Sequence, residues 1–127
     1  MAHFEIYAAD VSAAMRFYGG LLGWAFSPMP GGEEVNYQLV SGDAFDGSLS
    51  AGILTRPDTA HKAGSAVRGG TMTFEVENVD DRYNWALANG GSEALPPNDM
   101  PGIGRFAYVE DGQGNIVGIL TPAGNGE

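Results

Sequence analysis

The sequence contains no cysteine and few cationic residues. Without cysteine, the chain can form neither a disulfide nor a thiolate metal site, and it has no cysteine nucleophile. Six Lys and Arg stand against sixteen Asp and Glu, so the formal charge is −10 at pH 7. Because nucleic acids are bound by clustered cations, we expect no nucleic-acid partner, and the acidic chain favours a neutral or cationic ligand.

Long apolar runs and histidines are also scarce. No run approaches the ~20 apolar residues that span a bilayer, and the N-terminus MAHFEIYAAD lacks the basic start and long apolar stretch of a signal peptide. These absences predict a soluble, cytoplasmic protein with no membrane partner. The imidazoles are those of His3 and His61, so a metal or acid–base site would use one of them or rely on carboxylates.

The residues that are abundant are apolar residues and glycine. Hydrophobic residues make up 43% and charged residues 17% of the 127 residues, a balance typical of a folded globule. The 20 glycines are spread along the chain and predict turns, with no low-complexity linker. A chain of this length suits one compact domain over residues 1–127.

The first half predicts one strand, one helix and three further strands. Strand 2–8 alternates polar and apolar side chains. The helix that follows can be capped by Asp10 or Ser12, and Gly23 ends it. The remaining strands are predicted at 24–28, 34–41 and 48–55.

The second half repeats this order after a connector at 57–69 that shows no clear period. It predicts a strand at 71–77, a helix capped by Asn78, and strands at 93–96, 104–110 and 115–121. The Pro- and Gly-rich segment 96–105 is expected to be a loop bordering a cavity mouth.

An internal repeat supports this symmetry. Sliding one half over the other by 68 residues aligns His3 with Thr71, and at an offset of 66 residues the strand Gly52-Ile53-Leu54-Thr55 recurs as Gly118-Ile119-Leu120-Thr121. The chain is therefore predicted to be α+β, with a βαβββ module at 1–56 and a second at 70–122.

Three segments resemble the vicinal oxygen chelate superfamily, which includes glyoxalase I, bleomycin-resistance proteins, extradiol dioxygenases and fosfomycin-resistance enzymes. HFEIYAADVSAAMRFYGGLLGW resembles its opening module, TFEVENVDD the start of its second module, and YVEDGQGNIVGIL the closing hairpin. The matching residues are His3, Asp10, Phe17, Tyr18, Leu22 and Gly23. The resemblance implies two βαβββ modules whose curved sheets form a cup, and a homodimer.

The resemblance also implies where a metal would be bound. Metal-binding members take ligands from the first and last strand of each module, and here those positions hold His3, Gly52, Thr71 and Gly118. Glycine has no donor, a Thr hydroxyl is a poor one, and a catalytic metal typically keeps three protein ligands. We therefore expect no cofactor and no usual metal site, unless an altered donor set around His3 holds a divalent metal.

Other residues are expected to wall the cup and bind the ligand. Aromatic walls suit a flat or amphipathic organic molecule, although ordinary core packing is an equal alternative for each aromatic side chain. Arg105 either pairs with an acidic ligand or lies on the surface, and His61 is expected to be a solvated loop residue. The candidate ligand-binding residues are Trp24, Phe26, Tyr37, Thr71, Thr73, Glu75, Phe106 and Tyr108.

Two functions are compatible with these residues. The first is metal-independent binding of a small organic molecule, similar to bleomycin-resistance proteins. The second is a metal-dependent lyase, isomerase or dioxygenase of glyoxalase type, with His3 and Glu5 as catalytic residues. Under the first function, His3 is a polar relic of the ligand position.

Overall fold

The computed structural model describes residues 2–45, 47, 49–58, 62–65 and 70–124. The chain divides into two compact units, unit 1 over Met1–His61 and unit 2 over Lys62–Glu127. His61 itself, which the sequence predicts to be a loop side chain, lies outside the described residues.

Unit 1 is a four-stranded mixed sheet with one helix. Its strands run in the order β1-β4-β3-β2, with β1 parallel to β4 and the other pairs antiparallel. The elements are β1 (Ala2–Ala8), α1 (Val11–Leu22), β2 (Phe26–Pro28), β3 (Gln38–Val40) and β4 (Leu49–Thr55), with 3-10 turns at Glu33–Val35 and Gly42–Ala44.

Unit 2 repeats this topology. Its strand order is β5-β8-β7-β6, and β5 is parallel to β8. The elements are β5 (Met72–Glu75), α2 (Val79–Ala88), β6 (Ser92–Met100), β7 (Gly104–Glu110) and β8 (Ile116–Pro122). Even the register is shared, since Glu5 lies opposite Gly52 in unit 1 and Thr73 lies opposite Gly118 in unit 2. The predicted α+β fold with two βαβββ repeats is confirmed.

Both helices begin at the predicted capping residues. The Asp10 carboxylate accepts a hydrogen bond from the Ala13 N–H, and the Asn78 side chain accepts one from the Asp81 N–H. Each cap satisfies an amide that has no partner within its helix. Helix α1 ends at Gly23 in the left-handed conformation with φ 77°, which glycine adopts without a Cβ penalty.

Each helix packs on one face of its own sheet. Helix α1 contacts β1 and β4, and α2 contacts β6, β7 and β8. The apolar side chains between them form the two cores, and full burial of each large one contributes about 1.5–3 kcal/mol. The buried sheet residues are Ile6, Ala8, Val40, Ala51 and Ile53 in unit 1, and Ala107, Val109, Val117 and Ile119 in unit 2.

Two sequence predictions need correction. The expected loop at 96–105 is a turn only at 101–103: residues 96–100 belong to β6, which has register shifts around Leu95, and residues 104–105 begin β7. Pro96 and Pro97 are tolerated because they lie in an edge strand at the register shift between Leu95 and Asn98, where neither residue is paired with β7. The strand expected at 34–41 is reduced to β3, because Asn36 adopts φ 49° and closes a 3-10 turn.

Among the described residues, no helix is long and apolar enough to cross a membrane.

Candidate functional site

The face of each sheet opposite its helix carries the polar and half-exposed aromatic side chains. In unit 1, alternation along β1 buries Ile6 and Ala8 under α1 and leaves His3, Glu5 and Tyr7 exposed on the opposite face. The side chains of His3 and Glu5 are 39% and 38% exposed. We call this surface open face 1.

A chain of hydrogen bonds crosses open face 1. His3 Nδ1 lies 2.6 Å from Ser50 Oγ, and His3 Nε2 lies 2.6 Å from the Tyr37 hydroxyl. Tyr37 in turn donates to Glu5 Oε2 at 2.7 Å. Its ring is nearly parallel to the imidazole, with an interplanar angle of 15°. The structure thus brings together three of the predicted residues, His3, Glu5 and Tyr37, and adds Ser50.

The direction of these hydrogen bonds follows from the hydrogens that each group can donate. Tyr37 has one hydroxyl hydrogen and donates it to Glu5, so His3 Nε2 must donate to the Tyr37 oxygen. In a neutral imidazole Nδ1 is then an acceptor, which takes the Ser50 hydroxyl hydrogen. Desolvation and the hydrogen bond to the Glu5 carboxylate raise the pKa of Tyr37 to about 12, so its hydroxyl stays protonated at neutral pH.

The Tyr37 ring lies over Gly52. A Cβ built on Gly52 would overlap the ring and lie 2.7 Å from its Cζ and Oη atoms. A side chain at position 52 therefore requires Tyr37 to move away and to break its hydrogen bonds to His3 and Glu5.

In unit 2 a tyrosine also lies over the glycine of the last strand, but the neighbouring side chain is different. A Cβ on Gly118 would overlap the Thr73 hydroxyl and lie 2.7 Å from Tyr108 Cε1. By register Thr73 is the counterpart of Glu5, so this face carries a neutral hydroxyl where unit 1 carries a carboxylate. Phe106 packs edge-on against Tyr108 with ring centroids 6.0 Å apart.

A cavity of about 290 Å³ lies beside these residues, within unit 2. Its volume is near the lower end of the ~300–1,000 Å³ range of ligand pockets. The lining is mainly apolar with two hydroxyls, and it consists of Thr71, Ala94, Leu95, Tyr108 and Ile116.

The metal-ligand positions implied by the resemblance do not hold a set of residues that fits a metal. Gly52 and Gly118 supply no donor, and a longer side chain at either would overlap a tyrosine. Thr71 offers a neutral hydroxyl, and both ring nitrogens of His3 are already hydrogen-bonded. Within the described ranges, no three His, Asp or Glu side chains lie close enough to hold a metal ion.

Two predicted aromatic residues lie away from open face 1. Trp24 is 8% exposed and stacks on the buried Tyr18 of α1, with centroids 5.4 Å apart. Phe26 pairs with the buried Val40 and lies next to Gly19 of α1. The structure therefore places both side chains on the helix side of the sheet, where packing accounts for them.

Arg105 is held by the protein itself. Its guanidinium binds both oxygens of Asp80 at 2.8 and 3.0 Å and reaches Asp99 at 3.2 Å. The hydrogen bond from Arg105 lowers the pKa of Asp80. This pairing joins the first turn of α2 to the sheet. Glu75, also predicted for the site, is exposed on β5.

Sequence reasoning missed Ser50 and most of the cavity lining. Ser50 stands two residues before Gly52 on β4, so two-residue alternation places it on the same face, and this signal was available. The cavity residues Ala94 and Leu95 lie in β6 beside its register shifts, which no periodicity indicates.

Comparisons with known proteins agree with the fold. The sequence model of the Glyoxalase/Bleomycin resistance protein/Dioxygenase superfamily matches residues 1–119. CFP32 of Mycobacterium bovis, named as a candidate glyoxylase, is 30% identical over 121 residues, which cover 94% of this chain and 42% of that protein. The anthracycline biosynthesis protein DnrV of Streptomyces peucetius is 27% identical over 127 residues, covering 93% and 45%. The chain thus spans less than half the length of these curated relatives.

Solved structures show the same architecture. A glyoxalase/bleomycin resistance protein/dioxygenase family enzyme from Burkholderia phytofirmans has a TM-score of 0.72 at 17% identity, covering 95% of this chain and 97% of its own. A glyoxalase/bleomycin resistance protein from Albidiferax ferrireducens has a TM-score of 0.65 at 23% identity, covering 97% and 98%. The family match over most of the sequence, the repeated βαβββ topology and these likenesses agree. The chain belongs to the Glyoxalase/Bleomycin resistance protein/Dioxygenase superfamily.

Proposed function

We propose that this chain binds a small organic molecule in the unit 2 cavity without the metal site of its superfamily. The observation that carries the proposal is the pair of tyrosines over the two glycines, Tyr37 over Gly52 and Tyr108 over Gly118. The Tyr37 ring at Gly52, and the Thr73 side chain together with the Tyr108 ring at Gly118, fill the space that a ligating carboxylate would need, and aromatic surface suits the binding of organic molecules.

The cavity lining indicates the kind of ligand. Leu95 and Ile116 offer apolar contact, while the Thr71 and Tyr108 hydroxyls can each form a hydrogen bond with a polar group. The volume suits a one- or two-ring molecule, and the net charge of −10 disfavours anions. One relative is named for anthracycline biosynthesis, which is consistent with an aromatic ligand.

Metal content is the first test. Untagged protein would be incubated separately with Zn, Ni, Mn, Fe(II) and Mg, dialysed, and examined by elemental mass spectrometry. We expect far less than one metal ion per chain in every case. Near-stoichiometric retention of one metal, lost in His3→Ala, would overturn the proposal and support the alternative, a metal-dependent enzyme of glyoxalase type around His3 and Glu5.

Ligand binding is tested with 2-naphthol as the probe, by fluorescence titration with and without a chelator. Leu95→Ala should weaken binding about 5–30-fold, which corresponds to roughly 1–2 kcal/mol of lost apolar contact. Leu87→Ala is the matched control, because Leu87 lies on α2 outside the cavity and is 39% exposed, against 38% for Leu95. Equal affinity in the two variants, or binding abolished by the chelator, would contradict the proposal.

We also propose that the chain forms a homodimer in the cytoplasm. Several large apolar side chains of unit 2, including Met72, Met100 and Ile103, are exposed, and a second copy would cover such surface. Size-exclusion chromatography with light scattering should give twice the mass of one chain. Ile103→Glu should shift the measured mass toward that of the monomer. Fractionation of cells that make the protein tests the location.

A further inference from the structure

We infer that open face 1 is a binding site in its own right and that it takes a protonated primary amine. The site consists of Ser50, His3, Tyr37 and Glu5, with Tyr7 at its edge. The inference uses unit 1 alone, so it does not depend on the proposed function of the cavity.

The hydrogen bonds of the site share one direction. Each hydrogen in the chain points toward Glu5, from Ser50 to His3 and from Tyr37 to the carboxylate. The Ser50 hydroxyl hydrogen and the His3 N–H are thereby used inside the chain. The groups that remain available to a ligand are the lone pairs of Ser50 Oγ and of the carboxylate oxygens. All of these are hydrogen-bond acceptors. The site therefore selects a ligand that brings donors.

The Glu5 carboxylate also selects the ligand by charge. Glu5 is about two-fifths exposed, and within the described part of the chain its ion-pair contact is the one with His3, whose Nε2 is 4.0 Å from Oε2. The imidazole carries a charge only when it is protonated, so in its neutral form it leaves the charge of the carboxylate uncompensated. An ammonium supplies three donors and a positive charge, and hydrogen bonds between charged groups are stronger than neutral ones. An anion would meet only acceptors and repulsion.

The site also has a neighbouring aromatic side chain. Tyr7 is exposed and lies two residues beyond Glu5 on the same face of β1, and it is close enough to Tyr37 to influence its titration. An ammonium within about 6 Å of a tyrosine ring face is attracted by the ring. The ligand class is thus a primary ammonium carried by an apolar or aromatic body.

The experiment compares three probes that share one ring system. 2-Naphthylmethylammonium, neutral 2-naphthylmethanol and anionic 2-naphthoate would be titrated by fluorescence. The readout is the ratio of ammonium affinity to alcohol affinity, because binding of the naphthalene body to the cavity affects both equally. Glu5→Gln should lower this ratio about tenfold. Glu34→Gln, which removes the same charge from another exposed residue of unit 1, should leave it unchanged.

Two results would overturn the inference. One is an equal fall of the affinity ratio in Glu5→Gln and Glu34→Gln, which would mean general charge attraction. The other is a ratio near one in the wild-type protein. Leu95→Ala should leave this ratio unchanged. The cavity proposal is tested by the affinity of 2-naphthol and the inference by the affinity ratio, so the failure of one is distinguished from the failure of the other.

The hydrogen-bond direction has its own test, by ¹⁵N NMR of the histidine rings in folded protein, with His61→Gln to assign the signals. Neutral His3 should carry its proton on Nε2 in the wild type. A proton on Nδ1 would reverse the direction of these hydrogen bonds and refute the conclusion that the site offers only acceptors.

Discussion

Gly52→Ala is expected to destabilise unit 1, although alanine normally improves on glycine inside a strand by about 0.5–1 kcal/mol. The added Cβ would overlap the Tyr37 ring. The ring must then move and lose its contacts with His3 and Glu5. Overpacking of this kind costs about 1–3 kcal/mol, so we expect a net destabilisation of that size.

A double-mutant cycle isolates the cause. In a Tyr37→Ala background the obstacle is absent, so Gly52→Ala should become neutral or stabilise by about 0.5–1 kcal/mol. The coupling energy between positions 37 and 52 should therefore be about 1.5–4 kcal/mol. The sign of the Gly52→Ala effect should reverse between the two backgrounds.

The assay is urea unfolding of the full chain, followed by circular dichroism and by tryptophan fluorescence, to which Trp24, buried in unit 1, contributes. The midpoint should fall by on the order of 1 M urea in Gly52→Ala. Gly42→Ala is the matched control, because its Cβ would meet nothing within 4 Å and its φ is not positive. If the two variants unfold at the same concentration, Tyr37 does not cover Gly52 and the reasoning fails.

Three further predictions concern single residues. Gly104→Ala should cost about 3 kcal/mol or more and lower the Tm strongly, because φ is +142° and its Cβ would overlap the carbonyl oxygen of Thr121; an unchanged Tm would contradict this conformation. Asn78→Ala should cost about 1 kcal/mol in urea unfolding through loss of the α2 cap; an unchanged midpoint would show that the cap contributes nothing. Tyr37 and Tyr83 both have a pKa raised to about 12, above the ordinary value of about 10, so their stabilising contribution is present below pH 10 and is lost as pH rises through 12. Ultraviolet titration should show that Tyr37→Phe and Tyr83→Phe each remove one late-ionising tyrosine, and ionisation of Tyr37 and Tyr83 near pH 10 would refute the hydrogen bonds to Glu5 and Glu93.

The parts of the fold that are specified locally could be predicted from sequence. Asp10 and Asn78 cap the helices and Gly23 ends the first, because capping depends on a few adjacent residues. The two-residue alternation of β1 placed His3 and Glu5 on one face, as found. The family pattern placed the glycines at the ligand positions.

The remaining features depend on contacts between distant segments. Tyr37 precedes the short β3, and only the tertiary fold shows that its hydroxyl reaches β1 across Gly52. Trp24 precedes β2 and stacks on Tyr18 of α1, and Phe26 at the start of β2 lies next to Gly19 of the same helix. Aromatic character alone does not tell these two situations apart.

The prolines of β6 affect how this protein behaves at high concentration. β6 is nine residues long, forms an edge of its sheet, and carries the exposed apolar residues Leu95 and Met100. Such an edge would ordinarily be a template for intermolecular strand pairing and fibril growth. Pro96 and Pro97 offer no N–H to an incoming strand, and the register shifts beside them break the row of carbonyls. The feature that made this segment resemble a loop therefore protects the native protein from aggregation at that edge.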